Sequence, residues 1–327
     1  MNDPRVPQSA VTAPASSAVV GAPVVHDSAA LHVAGEASYT DDLPAPIGTL
    51  YAALGGSPVA HARIKALDLD AVRAAPGVVD IIVAADIPGI NDVGPIQHDD
   101  PILADGVEQF VGQPVFAVLA DSVVAARRAA QLARYDLEPL PAILTIDDAM
   151  AAESYVLPPV HVTRGDAPAA LARARHRRQG TLRSGGQDHF YLEGHISLAV
   201  PGEDGDVTVY CSTQHPSEVQ HMVAHALGVP SHAVAVEIRR MGGGFGGKET
   251  QGNQFAALAA IAAKRLNRAV KIRLDRDDDM TATGKRHDFL IDYEVGFDDQ
   301  GRILGIDYLY AARTSTALSS ATSRRSE

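Results

Sequence analysis

The stretch from Val234 to Leu274 limits the fold more than any other: it reads strand, glycine turn, helix, strand. "AVAVEIRR" and "AVKIRL" are rich in β-branched residues, "NQFAALAAIAAKRLN" has helical spacing, and "RMGGGFGGKET" at 240–250 sets five glycines around one phenylalanine. The residues before it repeat the scheme, with strand "DVTVYCST" and helix "SEVQHMVAHALG" closed by Gly228 and Pro230. Two strand–helix–strand units in succession form crossovers onto one sheet, so the expected class is α/β, with α+β additions.

The rest of the chain divides around this block. Residues 1–24 are Ala, Ser, Pro and Val without period and are expected to form a disordered arm. From Val25 to Asp147 short β-rich runs ("RIKALDL", "VVDIIVAA", "QPVFAVLA") alternate with helical ones ("DAVRAAPG", "DSVVAARRAAQLARYD"), the last capped by Asp121 or Ser122. That predicts a first α/β domain over 25–147. Residues 148–183, with "ESYVLPPVH" and the basic helical run "ARARHRR", read as a connector. A second domain spans 184–312 and ends in a hairpin, "FLIDYEVGF" and "ILGIDYLYAA" around Asp298-Asp299-Gln300-Gly301. Residues 313–327, "RTSTALSSATSRRSE", have no periodicity and read as an aberrant or disordered tail.

Composition removes several functions. Among 327 residues, 28 are basic and 40 acidic, a net charge of −12 that repels phosphate backbones, so no nucleic-acid partner is expected. No apolar run reaches the roughly 18 residues of a membrane span, and the N-terminus lacks a signal-peptide pattern, so a cytoplasmic setting is expected. The single cysteine, Cys211, reads as a small buried hydrophobe in a strand; one thiol cannot hold an iron–sulfur cluster or build a disulfide framework.

The glycine turn admits several chemistries. Gly242, Gly244 and Gly247 satisfy G-x-G-x-x-G, but the nearest acidic partner, Asp275, lies 28 positions beyond Gly247, where about 20 are expected for a dinucleotide site. A phosphate loop needs Ser or Thr after Lys248, and Glu249 stands there instead. A tight turn with no ligand is the plain reading. The chemical one is a cradle: bare peptide N–H groups near a helix start face an anionic cofactor, Phe245 walls the site, and Glu249 accepts hydrogen bonds from a ligand. Gln187, His189, Glu193 and Gln214 sit at strand ends, where ligands of α/β layers bind. His221 and His225 share a helix face, but Met222 stands where a metalloprotease helix needs Glu, so they read as structural. The acidic run Asp275–Asp279 lacks the spacing of a calcium loop and reads as a solvated loop tied by Arg276 and Arg286.

Four blocks, "GGQDHFYLEGH", "CSTQHPSEVQHMVAHALG", "RRMGGGFGGKETQGN" and "LDRDDDMTATGKRHDF", resemble in order and spacing the N-terminal portion of the molybdenum-binding subunit in the bacterial xanthine dehydrogenase branch of the xanthine dehydrogenase and aldehyde oxidase family. "HDSAALHVAGEASYTDDLP" and "FVGQPVFAVLAD" are similar to that family's α/β hammerhead domain. The resemblance spans Val25 to Ala312. It implies a molybdenum–molybdopterin cofactor held by Gln214, Gly244, Phe245, Gly246 and Gly247, with Gln214 and Phe245 against the metal centre. It also implies that Glu249 binds a purine, favouring xanthine or hypoxanthine. The implied reaction is oxidative hydroxylation to urate, with electrons leaving through 2Fe-2S clusters and FAD on a partner subunit to NAD. An aldehyde or heteroaromatic hydroxylase of the same family, or a non-catalytic binding or assembly fragment, are the alternatives.

The resemblance also implies a full subunit more than twice as long, with the substrate-binding arginine, the catalytic glutamate and most pterin contacts beyond this chain. The tail from Arg313 is therefore expected to be a frameshift or premature end, and the chain alone to be inactive and prone to aggregate.

Overall fold

The computed structural model describes residues 20–313, Gln97 excepted. The N-terminal arm is therefore described only from Val20, and the tail lies outside the described residues apart from Arg313. The chain forms two compact units, 1–38 and 39–327. In the first, helix α1 (Ala29–Ala34) stops at Gly35, which takes a left-handed φ of 72°.

The second unit opens with β1 (Leu50–Gly56), β2 (Ala62–Asp68), α2 (Asp70–Arg73), β3 (Val78–Val83) and β4 (Val107–Glu108). Strand β5 (Pro114–Ala120) is buried over its full length, as its unbroken apolar sequence requires. Ser122 then caps α3 (Val123–Ala130) by accepting a hydrogen bond from the Ala125 amide. The expected helix was longer. It ends at Ala130, and "RYDLEP" that follows is strand β6 (Arg134–Pro139), paired with β2.

The stretch read as a connector contains regular structure: most of α4 (Ile146–Ala151), then α5 (Ala167–Arg173) and β7 (His176–Ser184). "ARARHRR" is not helical throughout, because α5 ends at Arg173 and the chain turns extended at Ala174. Strand β7 is held by β12 through the full ladder His176↔Phe297 to Ser184↔Phe289, with Arg177 paired to Glu294.

Strands β8 (Ile196–Pro201) and β9 (Val207–Cys211) lead into α6 (Pro216–Leu227), which Gly228 closes with φ of 65°. Then come β10 (Val234–Glu237), α7 (Gly252–Leu266), β11 (Val270–Arg273), α8 (Arg276–Ala282) and the hairpin β12 (Phe289–Phe297) and β13 (Ile303–Ala312). Asp275 and the acids after it are not a solvated loop. Asp275 caps α8 through the Asp278 amide, Asp279 is 1% exposed, and the partner of Asp275 and Asp278 is Arg127.

One seven-stranded sheet, in the order β10-β9-β8-β11-β1-β5-β3, organises the unit. Its centre joins distant parts of the chain, since β1 runs parallel to β11 with Leu50 opposite Val270. Alanine-rich α7 lies buried from Gly252 to Ala263 and packs with α6 over the sheet, forming the main core with Val209, Val223, Phe255 and Ile272. Small side chains let it approach closely, and a helix apolar on every side demands such cover. Two three-stranded sheets, β13-β12-β7 and β4-β2-β6, complete the architecture. Among the described residues no helix is long and apolar enough to cross a membrane.

Candidate functional site

The glycine turn leaves the end of β10 and returns at α7, beside the chain leaving β9. Its backbone is bent by three left-handed residues: Gly243 (φ 96°), Phe245 (φ 53°) and Gly246 (φ 88°). Phenylalanine takes that conformation at a cost on the order of 1–2 kcal/mol, which surrounding contacts must offset. Gln214 supplies two of them. Its Oε1 accepts the Gly246 amide at 2.9 Å and the Lys248 amide at 3.3 Å, while its own backbone amide donates to the Lys248 carbonyl at 2.8 Å.

Both acceptor bonds use the Gln214 oxygen, so the amide NH2 is left pointing away from the turn, with no partner among the described residues. At Gly244 a Cβ would lie 2.6 Å from Gln214 Oε1, so only glycine lets this side chain lie flat on the turn. At Gly246 a Cβ would meet nothing within 4 Å; that side of the turn is open. Phe245 stands beside it, 74% exposed, an unusual state for a ring on a strained backbone.

Of the residues singled out from the sequence, Gln214, Gly244, Phe245 and Gly246 come together here. Gly247 is buried against His189 and Tyr191. Glu249 follows the turn directly, is exposed, and makes no hydrogen bond or ion pair among the described residues. Glu193 faces the protein interior, where its Oε2 accepts the Gly242 amide at 3.0 Å and the Ser212 hydroxyl at 2.5 Å. Gln187 is tied to Arg286 by reciprocal backbone hydrogen bonds. His189 is held below the usual histidine range, chiefly by burial.

The sequence pattern missed what lies beneath the turn. Lys248 is fully buried, its Nζ 2.8 Å from Ser212 Oγ, 3.1 Å from Glu193 Oε2 and 4.7 Å above the centre of the Tyr191 ring. Burial pushes its ammonium below the ordinary lysine range, and the charge of Glu193 works against that push. The Tyr191 hydroxyl donates to Asp279 Oδ1 at 2.5 Å, and Asp279 Oδ2 accepts the His195 amide at 2.8 Å. Burial, then that carboxylate, pushes the Tyr191 phenol up. His195 is sealed between the rings of Tyr191 and Phe255, with no partner at hydrogen-bonding geometry for either ring nitrogen among the described residues, and burial drives it down to about 4 although the Asp279 charge and the Gly247 backbone oppose that. Cys211 is buried at the end of β9, its thiol pushed up to about 11 by burial.

A molybdopterin cofactor can be tested against these features. Among the described residues no group of three or more His, Cys, Asp or Glu could hold a metal ion. A metal at this turn must therefore bring its own ligands, as a dithiolene-chelated one does. What the turn offers is an open peptide edge at Gly246, an exposed ring at Phe245 and a free amide NH2 at Gln214, which suits an anionic group with oxygen ligands. The residues fit.

Residues 150–324 match the family model of the molybdopterin cofactor-binding domain, and residues 34–141 match that of the aldehyde oxidase and xanthine dehydrogenase a/b hammerhead domain. The chain belongs to the molybdopterin cofactor-binding domain family, preceded by the hammerhead of aldehyde oxidases and xanthine dehydrogenases. The first match runs on past Arg313, where the sequence reading placed the end of the resemblance. The chain is 44% identical over 291 residues to a xanthine dehydrogenase of Drosophila subobscura, covering 88% of this chain and 22% of that protein. Among solved structures it is similar to an aldehyde oxidoreductase from Desulfovibrio gigas (TM-score 0.78, 28% identity, 88% of this chain and 34% of that one). It is also similar to quinoline 2-oxidoreductase from Pseudomonas putida 86 (TM-score 0.77, 28% identity, 88% and 38%). The chain thus spans about a fifth of that curated relative and just over a third of those structures' chains.

Proposed function

We propose that this chain is the N-terminal part of the molybdenum-binding portion of a xanthine dehydrogenase-type enzyme, acting on a purine. The observation that carries the reading is the turn itself: Gln214, fixed through its oxygen, offers its NH2 beside a strained, exposed Phe245. Gln214, Gly244, Phe245, Gly246 and Gly247 would hold a molybdenum–molybdopterin cofactor, which supplies the oxidising centre and the transferred oxygen when bound. Gln214 would donate a hydrogen bond toward an oxygen at that centre, and Phe245 would exclude water and orient a planar ring. Glu249, exposed at the exit of the turn, would accept the N–H of a purine and fix which ring carbon faces the centre.

The base that takes the proton would come from polypeptide beyond this chain, so the chain alone is expected to be inactive. The 2Fe-2S clusters and FAD would be carried by a partner subunit in the cytoplasm, with NAD as final acceptor; the single cysteine of these 327 residues cannot hold a cluster. A second reading, an aldehyde or heteroaromatic hydroxylase, is favoured by the likeness to the aldehyde oxidoreductase and the quinoline 2-oxidoreductase. Glu249→Ala in a chain extended to the relatives' length and assembled with such a partner separates the two. A lost charged hydrogen bond is worth about 1.5–3 kcal/mol, so kcat/KM for xanthine should fall roughly 10- to 100-fold while aldehyde turnover holds. Unchanged xanthine turnover would favour the second reading.

A further inference from the structure

Lys248 is bonded at its backbone and at its ammonium by three consecutive residues. The Ser212 hydroxyl meets Nζ at 2.8 Å, the Thr213 hydroxyl donates to its carbonyl at 3.2 Å, and Gln214 grips its backbone on both sides, donating to the carbonyl and accepting from the amide. A fourth group closes the arrangement. Glu193 Oε2 receives the Gly242 amide at 3.0 Å, the Lys248 ammonium at 3.1 Å and the Ser212 hydroxyl at 2.5 Å. Gly242 and Lys248 are the two ends of the glycine turn, so a single carboxylate oxygen brings both ends to one point.

Stability alone does not call for an ion pair here. A buried lysine and glutamate can be replaced by well-packed apolar groups with little loss, or with gain. What an apolar pair cannot do is receive the Gly242 amide and converge the two ends of the turn on one acceptor. The strain argues the same way, since Phe245 in its left-handed conformation must be held against relaxation. Lys248 further fixes the direction of the Gln214 amide, because its own N–H engages the Gln214 oxygen that also holds Gly246.

We propose that Lys248, Glu193 and Ser212 form a positioning clasp: they fix the 242–248 turn and the direction of the Gln214 amide, and touch neither substrate nor cofactor. The purpose of that order rests on the turn being the cofactor cradle, but the order itself is measured on this chain without metal.

The experiment is hydrogen exchange by mass spectrometry on the purified chain, comparing peptides over 240–250 with peptides from α6 and from β12–β13. Ser212→Ala, the mildest change, should speed exchange in the turn about fivefold, the weight of one net hydrogen bond. The double variant Lys248→Met/Glu193→Gln, which leaves no lone buried charge, should speed it at least ~10-fold. Reference peptides should stay within about twofold of the parent chain in both. Turn exchange that does not change, or exchange that rises equally in the turn and the reference peptides, overturns the proposal; a variant that unfolds counts as the latter. A protected turn in a full-length assembly that binds no cofactor would instead sink the functional reading and leave the clasp standing.

Discussion

Gly244→Ala tests the geometry of the turn through a double-mutant cycle. The added Cβ would lie 2.6 Å from Oε1, 2.8 Å from Cδ and 2.9 Å from Cγ of Gln214, and no side chain tolerates contacts that short. Nothing else in the turn has to move, since Gly244 carries no left-handed φ and Gln214 is exposed enough to swing away. The cost is then the two amides that lose their acceptor. Gly246 is exposed and water can replace the bond, for about 0.5–1 kcal/mol; Lys248 is buried and its stranded amide costs about 1–2 kcal/mol. The sum is about 1.5–3 kcal/mol, equivalent to roughly 2–5 °C in the midpoint of a chain this size. Gln214→Ala removes the same two bonds, so it should cost about the same. The double variant should then cost no more than either single change, a coupling of about 2 kcal/mol measured by urea unfolding. Costs that add to within about 0.5 kcal/mol would show that Gln214 does not hold the turn.

Three further outcomes follow from other parts of the molecule. His195, driven from 6.5 to about 4 when folded, makes the unfolded chain bind more protons between those values, so stability should fall as pH drops from 6.5 toward 4, by at most about 3 kcal/mol. Asp100, pushed up to about 6 by burial and by Asp92, acts in the opposite sense between about pH 4 and 6. The test is urea unfolding of Asp100→Asn with and without His195→Gln, and an unchanged pH slope would refute it. Gly89→Ala should cost at least ~3 kcal/mol or prevent folding, because its Cβ would sit 2.0 Å from the His225 carbonyl and 2.6 Å from the Gly228 amide, both backbone atoms at the end of α6; a midpoint within about 2 °C of the parent would contradict this. Leu304→Lys with Ile306→Lys should suppress aggregation, read by light scattering, at a cost within about 1 kcal/mol, since both residues are exposed on β13; unchanged scattering would place the sticky surface elsewhere.

Local patterns announced much of this fold and little of its wiring. The glycine caps, the α7 helix and the β12–β13 hairpin each carry a signal within a few residues, so they were legible. Strand β7 was not: nearly every residue from His176 to Ser184 is polar or exposed, and the strand exists because β12 pairs with it from more than a hundred positions away. The same reason hides the partnership of β1 with β11 at the middle of the sheet. In the site, glycine spacing and Glu249 drew notice, whereas Lys248 entered only as the residue before Glu249. Its partner Glu193 lies 55 residues earlier, and no local pattern records such a pair. Asp279 was likewise lost inside an acidic run, although it alone of that run is buried under Tyr191 and His195.

The composition of the turn makes sense once the directions of its side chains are known. Five glycines look like slack, yet Gly242, Gly244 and Gly247 serve the opposite end, letting the backbone lie against Glu193, Gln214, His189 and Tyr191 at distances no Cβ would permit. The lysine and glutamate that close the turn are neighbours in sequence and opposites in space: Lys248 has no exposed surface, and Glu249 stands in solvent. Backbone that close to its surroundings gains hydrogen bonds only where acceptors are already fixed, and the two acceptors here, Glu193 and Gln214, come from chain on either side of β8 and β9 in the large sheet. Rigidity at the turn is thus borrowed from the sheet, which in turn depends on β1 and β5 of the hammerhead region for its far half. A change in the hammerhead strands should therefore loosen the glycine turn without touching it, through the strand order of the sheet.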